Sequence, residues 1–469
     1  MLIFSIFLPE KSLTYLSKNV ASPLNINTFQ GGILFMADTL LHDLKQTLDN
    51  CISTLYSIHD LFCIHPGKDF SRDRKITFPL LCNALIQMQS KSLPNEVLDF
   101  WNHSLDAPTS SAFIQQREKI LPEAFHFLFH LFCDETLGLQ DRLHKGYRLV
   151  AADGSDADIY RDPNDGETFI HEGEKGYNAI HINACYDLLN HTYVDVLFQG
   201  KKKLHERAAF NCMASRSRLD NVIYIADRGY ESFNTFAHVI RSGQKFIIRM
   251  KDISSNGILS SYDLPDSEFD ERIETTLTRR HTKETLGSPD TYTILPASTD
   301  FDFLDDECRY YPISFRIVRF LTDAGTYVCV ATNLAPDGFP LEEIRELYRL
   351  RWGEESSFRE LKYTVGLVNF HSRKKDLVCQ EIYARLILYN FCELITQHVA
   401  VVTSKETKHD HKINFSTAVN ICRAYLKDGG DETEMYLMIQ RHLTPVRNDR
   451  KYTLKLRPKR NRDFVYRAA

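Results

Sequence analysis

From Ala37 to about Leu137 the apolar residues recur at helical spacing, as in Leu40, Leu41, Leu44 and Leu48 and again in Phe125, Phe127, Leu128, Leu131 and Phe132. This stretch predicts an all-helical N-terminal region. Beyond Gly146 the period changes. Tyr147 to Ala152, Ala179 to Tyr186, Tyr193 to Phe198, Val222 to Ala226 and Lys245 to Met250 read as strands, and Asp187 to His191 reads as a turn. Leu204 to Leu219 and Tyr230 to Ile240 read as helices between them. The order strand, strand, strand, helix, strand, helix, strand is that of an RNase H-like α/β core. From about Asp252 to Cys308, Ser, Gly, Thr and Asp interrupt the pattern among short pieces such as Tyr292 to Leu295, which predicts a mostly β insertion. Ile313 to Phe320 and Thr326 to Ala331 resume as strands, and a long helix begins near Leu341.

These changes of period divide the chain into an extension over 1–35, a helical region over 36–140, the first part of the α/β core over 141–251, the insertion over 252–310, a second part of the core over 311–400, and a C-terminal region over 401–469 with a basic tail. Because Met36 opens a strong helical pattern, residues 1–35 read as an extension upstream of the true start. No internal repeat divides the chain further.

With 43% hydrophobic and 25% charged residues, the composition is that of a soluble globular protein. A net charge of −5 excludes coating of nucleic acid by bulk charge, so any DNA contact falls to local patches. One runs from Arg447 to Arg467, where Arg450, Lys451, Lys455, Arg457, Lys459, Arg460 and Arg462 outnumber Asp449 and Asp463. A solvated tail would look the same. Another precedes the apolar run Phe78 to Met88: the basic turn Phe70-Ser71-Arg72-Asp73-Arg74-Lys75, which suits a DNA contact or an ordinary helix entry. The eleven cysteines include no Cys-x-x-Cys pair, which points to a reducing cytosol and to neither disulfides nor a zinc knuckle. His409-Asp410-His411, set among Lys405, Lys408 and Lys412, reads as a polar loop rather than a metal site. No apolar stretch approaches the roughly 20 residues that span a bilayer, and Met1 to Leu8 lacks the basic start of a signal peptide.

Three segments carry candidate chemistry. Leu149-Val150-Ala151-Ala152-Asp153-Gly154-Ser155 and Val222-Ile223-Tyr224-Ile225-Ala226-Asp227-Arg228-Gly229-Tyr230 are each an apolar strand closed by an aspartate, with glycine following at the turn. Ligands of α/β sheets gather beyond strand carboxyl ends, although aspartate also closes strands simply as a turn former. Asp156 and Asp158 compete with Asp153 as ligand candidates, but Asp153 closes the strand. The third segment runs from Leu347 to Lys362. On one continuous helix Tyr348, Arg351, Glu355 and Lys362 project within about 60° of one another. A solvated face with an Arg351–Glu355 pair would account for that segment by itself.

The spacing Tyr348-x2-Arg351-x3-Glu355-x6-Lys362 matches the YREK signature of the insertion-sequence-four family of DDE transposases, bacterial insertion-sequence enzymes, and the chain resembles that family elsewhere. Asp153-Gly154-Ser155 resembles its first acidic motif and Asp227-Arg228-Gly229-Tyr230 its second, while Glu355 stands where its third acid belongs. Lys175-Gly176-Tyr177-Asn178-Ala179-Ile180-His181, Leu204-His205-Glu206-Arg207 and Thr332-Asn333-Leu334 are similar to family sequence as well. The resemblance extends from about Ser71 to Lys362 and, more loosely, to the basic C-terminus.

The resemblance implies a DNA transposase in which Asp153, Asp227 and Glu355 hold two Mg²⁺ ions, with Mn²⁺ as a substitute. Such ions flank a scissile phosphate about 3.5–4 Å apart and take oxygen ligands. Water would release a 3′-hydroxyl at the element end, and that hydroxyl would attack target DNA, with no ATP and no covalent protein intermediate. Arg351, Lys362 and Tyr348, with Arg228, would grip phosphates. Trp352 would stack on a base turned out of the duplex or else fill the core. Terminal inverted repeats and target DNA are the implied partners, a homodimer the implied synaptic unit, and the bacterial cytoplasm, at the nucleoid when DNA is bound, the implied location. An RNase H-like nuclease without strand transfer and a catalytically inactive transposase-derived regulator are the competing readings.

Overall fold

The N-terminal helical pattern folds as α1 (Gln30–Ser57), α2 (Phe78–Gln87), α3 (Leu93–Phe100), α4 (Ser110–Arg117) and α5 (Pro122–Glu135). The computed structural model describes residues 30–72, 74–172, 175–322, 325–399 and 411–446, with side chains from residue 40. α1 therefore starts ahead of Met36; most of the 1–35 segment, His409-Asp410 and the basic run from Arg447 onward lie outside the described residues. Polar residues end-cap the helices where the pattern begins. Thr77 accepts from the Leu80 N–H, with Pro79 in the first turn, and Thr109 accepts from the Ala112 N–H. The basic turn ahead of Phe78 is thus also a regular helix entry.

The strands that follow are β1 (Arg148–Ile159), β2 (Phe169–Ile170), β3 (Tyr177–Asp187), β4 (Thr192–Gly200), β5 (Val222–Ala226) and β6 (Lys245–Met250). Helix α6 (Glu206–Arg216) precedes β5 and α7 (Phe233–Arg241) follows it. The turn from β3 to β4 forms as Asp187 accepts from the Leu189 and Asn190 N–H groups and His191 takes a φ of 50°. Next come β7 (Phe269–Thr278), α8 (Lys283–Gly287), β8 (Tyr292–Ile294), β9 (Tyr310–Leu321) and β10 (Tyr327–Thr332). The chain continues through α9 (Leu341–Leu350), α10 (Trp352–Tyr363), α11 (Lys375–Thr396), β11 (His411–Ile413), α12 (Phe415–Asp428), α13 (Glu432–Arg441) and β12 (Leu443–Pro445).

One large sheet organises this mixed α/β fold, in the order β2-β3-β1-β5-β6-β10-β9-β7-β8 with β4 on β3. β1 is antiparallel to β3 and parallel to β5, and β5 is parallel to β6. The expected β insertion does not make a separate sheet. Its strand β7 pairs with β9, which pairs with β10, which pairs with β6. β9 is thereby paired on both edges, which leaves no long edge exposed between the two parts.

The alternation along the strands divides the interior in two. Leu149 and Ala151 of β1 and Ile223 and Ile225 of β5 face one core, while Val150, Ala152, Val222, Tyr224 and Ala226 face the other. α6 and α7 cover the second face. The first face meets α10 and the almost wholly buried α11, and α11 packs in turn on α2 and α5. The N-terminal helices thus share a core with the sheet.

Candidate active site

The parallel ladder of β1 with β5 runs from Arg148↔Val222 to Ala152↔Ala226 and stops there. Asp153 and Asp227 are the next residues of each strand, so they leave neighbouring strands, which lie about 4.8 Å apart, toward the same face. That is the face covered by α10. β1 does not end at Asp153 as the sequence suggests: it continues to Ile159, paired with β3 alone. What ends at Asp153 is the pairing with β5, because β5 turns away after Ala226.

Each aspartate is aimed by a backbone donor. Asp153 Oδ1 accepts from the Gly154 N–H and Asp227 Oδ1 from the Gly229 N–H, both at 2.8 Å. Space at both glycines is tight: a side chain at Gly154 would displace the His181 ring, and a Cβ on Gly229 would stand 2.9 Å from Asp227 Oδ1 and push that carboxylate aside.

The helix predicted to run unbroken from Leu341 is interrupted at Arg351, between α9 and α10, although Arg351 keeps helical angles (φ −48°, ψ −35°). Gly353 lets α10 approach the sheet, since its Cβ would lie 3.2 Å from Leu188 Cδ2. Ser357 Oγ lies 2.9 Å from the Tyr193 hydroxyl, and the Phe358 ring packs 5.8 Å from that of Tyr193. These contacts seat α10 across β1 and bring Glu355 toward the aspartates.

Arg351 occupies the space between the acids. One terminal nitrogen lies 3.8 Å from Asp153 Oδ2, and the other donates to Glu355 Oε1 at 3.0 Å. Arg351 is only 6% exposed and its Nε is a buried donor without a protein partner among the described residues. The exposed helix face expected from the sequence is therefore mostly covered. Tyr348 is also buried, which pushes its hydroxyl up, while the nearby Arg351 and Arg249 charges oppose that shift. Trp352, in contrast, is 59% exposed beneath the Arg351 guanidinium, 5.0 Å from ring centre to carbon, so it does not fill the core. Arg228 is exposed and Lys362 half-buried.

The electrostatics tie the three acids into one field. Burial pushes the Asp153 carboxyl up to about 6, and the Asp227 and Glu355 charges add to the shift against the Gly154 N–H and Arg351. Glu354, which sequence reasoning missed beside Glu355, is fully buried. Burial first and Asp153 second hold its carboxyl well above the usual range, and neither oxygen has a hydrogen-bond partner among the described residues.

Among the described residues, no group of three His, Cys, Asp or Glu side chains stands preformed around a metal position. Arg351, standing between Asp153 and Glu355, supplies the positive charge that the cluster needs. The donors are all carboxylate oxygens, which is the set that hard divalent cations take. Asp156 is withdrawn from that set: it faces the other side of the sheet, with Oδ1 at 2.7 Å from His181 Nδ1 and 2.9 Å from Lys201 Nζ. The β1–β3 register sets His181 opposite Asp156 and brings its ring under Gly154, a contact that no local pattern in the sequence displays.

All eleven cysteines carry free thiols, and no helix among the described residues is long and apolar enough to cross a membrane. No curated protein sequence matches the chain. Among solved structures, a piggyBac transposase in a synaptic complex with hairpin DNA, seen by cryo-electron microscopy, aligns at a TM-score of 0.42 and 10% identity, covering 86% of this chain and 80% of that one. That likeness is too slight to build on. The family described as "Transposase DDE domain" matches residues 144–391, more than half of the sequence, from β1 into α11, a span that carries Asp153, Asp227 and Glu355. The chain belongs to this family of DDE-domain transposases.

Proposed function

We propose that the chain is an insertion-sequence transposase of the insertion-sequence-four type, which cuts DNA at element ends and transfers the 3′-hydroxyl to target DNA. The observation that carries this reading is the β1–β5 register, which sets Asp153 beside Asp227, together with Arg351 spanning Asp153 and Glu355. The strand order β4-β3-β1-β5-β6, with β1, β5 and β6 parallel and β3 reversed, supports an RNase H-like core.

In this reading Asp153, Asp227 and Glu355 hold two Mg²⁺ ions, for which Mn²⁺ substitutes; bound there, the ions neutralise charge on the phosphate and lower the pKa of water. The protein supplies orientation and further charge. Arg351 brings its charge beside Asp153 and Glu355, where a phosphate would meet it, Tyr348 lies next to that charge, and Arg228 and Lys362 add cations at the margin. The exposed Trp352 indole offers a π face to an unstacked base. In the helical region Lys68, Arg72, Arg74 and Lys119 border an open cleft of about 440 Å³ that suits the DNA backbone. The protein would act in the bacterial cytoplasm as a homodimer on paired inverted repeats.

Purified protein, element-end duplex, target plasmid and Mg²⁺ separate the readings. Joined end–target products are expected. Cleavage without joining would favour a nuclease, and binding without cleavage a regulator.

Proton competition gives a second test. With the Asp153 carboxyl titrating at about 6, protonation at pH 5 should weaken Mn²⁺ binding roughly tenfold relative to pH 7. The same upward shift means that the folded chain holds this proton more tightly than the unfolded one. The Asp153 contribution to metal-free stability therefore falls as pH rises from 3.8 through about 6. Calorimetric Mn²⁺ titrations at the two pH values measure the effect, and equal affinities would place Asp153 outside the metal site.

A further inference from the structure

His181 lies on β3 opposite Asp156 of β1, on the sheet face turned away from the Asp153 carboxylate, and is 3% exposed. Its Nδ1 is 2.7 Å from Asp156 Oδ1, which also receives Lys201 Nζ at 2.9 Å. Its Nε2 makes an ion-pair contact with Glu206 Oε1 at 3.1 Å, at the start of α6, without hydrogen-bond geometry. The ring fills the space under Gly154, the residue whose N–H holds Asp153. Glu206 reaches the second aspartate's turn as well, for its Oε2 lies 3.8 Å from the place of a Cβ on Gly229. The adjoining Arg207 Nε donates to the Gly229 carbonyl at 2.8 Å, and the Gly229 N–H holds Asp227.

We infer that His181 is a positioning residue that joins the Gly154 backbone of β1 to α6 and, through Glu206 and Arg207, to the Gly229 turn, and so sets the separation of the Asp153 and Asp227 carboxylates. The inference rests on the proposed metal-binding role of those acids. Neither contact of His181 is to a carboxylate of the proposed metal set, and its burial behind the sheet keeps it from DNA. Its effect must therefore pass through the Gly154 backbone of β1 and the Gly229 turn. Supports of this kind orient the groups that bind a metal, and their loss typically weakens metal affinity by about 10–100-fold. A one-ångström change in the spacing of two carboxylates matters more to a cation that both must reach than to a DNA backbone bound over many contacts.

The test compares wild type, His181→Ala, His181→Gln and Glu206→Gln in three measurements: Mn²⁺ titration by electron paramagnetic resonance without DNA, fluorescence anisotropy of end DNA without metal, and thermal unfolding. His181→Ala should weaken Mn²⁺ binding by about 10–100-fold while leaving metal-free DNA affinity within about twofold. His181→Gln, which keeps a donor near the Nε2 position, should recover part of the loss. Glu206→Gln keeps the shape and removes the charge, so it should show an intermediate loss even if the alanine variant folds poorly. Wild-type Mn²⁺ affinity in the His181 and Glu206 variants would overturn the positioning role alone. So would a parallel fall in DNA affinity and thermal stability that His181→Gln does not relieve. A wild type that binds no Mn²⁺ would overturn the three-carboxylate reading, and this inference with it.

Discussion

Glu355→Gln is expected to leave DNA bound and uncut. The side chain is partly exposed, and its neighbour is the Arg351 guanidinium at 3.0 Å. If that pair were the whole role of Glu355, its loss would cost well under about 1 kcal/mol of stability and cleavage would continue. If Glu355 is a metal ligand, the substitution removes a charged oxygen from the set that neutralises the phosphate in the transition state. A loss of roughly 4 kcal/mol of that stabilisation lowers the cleavage rate about a thousandfold. Binding should hold or tighten, because one negative charge disappears beside the DNA phosphates while Arg351 stays in place. Gel-shift affinity and nicking rate measured on the same preparation, in Mg²⁺ and again in Mn²⁺, decide the matter. Nicking at the wild-type rate would remove Glu355 from the catalytic set.

Glu381→Ala should be the most destabilising single change outside the site. Glu381 on α11 is 1% exposed and accepts from Arg117 Nη1 at 3.0 Å, from the His371 ring Nδ1 at 3.0 Å and from Arg385 Nη2 at 3.3 Å. Arg117 comes from α4, so this cluster fastens the N-terminal helices to the helix that packs on the large sheet. Burial alone would push the Glu381 carboxyl up, but Arg117, His371 and Arg385 overcome it and hold it well below the usual carboxylate range. Removing the carboxylate strands two fully buried guanidinium groups without their counter-charge, which typically costs about 3–5 kcal/mol. The sign for pH follows from the depression: this stabilisation is complete above the ordinary value of 4.5 and is lost as pH falls below it toward the folded value. Urea unfolding of wild type and variant at pH 7 and pH 4 measures both effects. A midpoint unchanged at pH 7 would show that the cluster contributes nothing net.

Glu355 and Glu381 differ in how much of their role the sequence displays. Glu355 is conspicuous there, because its spacing from Tyr348, Arg351 and Lys362 forms a pattern. Glu381 is not, because a glutamate within an apolar helical run shows no sign of the arginine 264 positions away that neutralises it. The same holds for His181, whose partners Asp156 and Glu206 lie 25 residues before and after it. Arg351 and Trp352 are adjacent in the chain and share one edge of a helical face, yet the first is buried and the second exposed. Which side of a helix is covered depends on what packs there, and α10 meets the sheet through Gly353, Ser357 and Phe358.

The features legible along the chain are local ones: the helical period before Leu137, the strand periods of β1, β3, β4, β5 and β6, and an aspartate following the apolar run of both β1 and β5. Each of these depends on residues a few positions apart, so side-chain period and turn chemistry suffice to read them. Three others emerge only when the chain is folded. The Ala152↔Ala226 register sets the two aspartates side by side, β9 draws the expected insertion into the main sheet, and Arg351 comes to rest between Asp153 and Glu355. Those outcomes depend on pairing partners and burial contributed by segments distant along the chain, whose contacts a local pattern cannot specify.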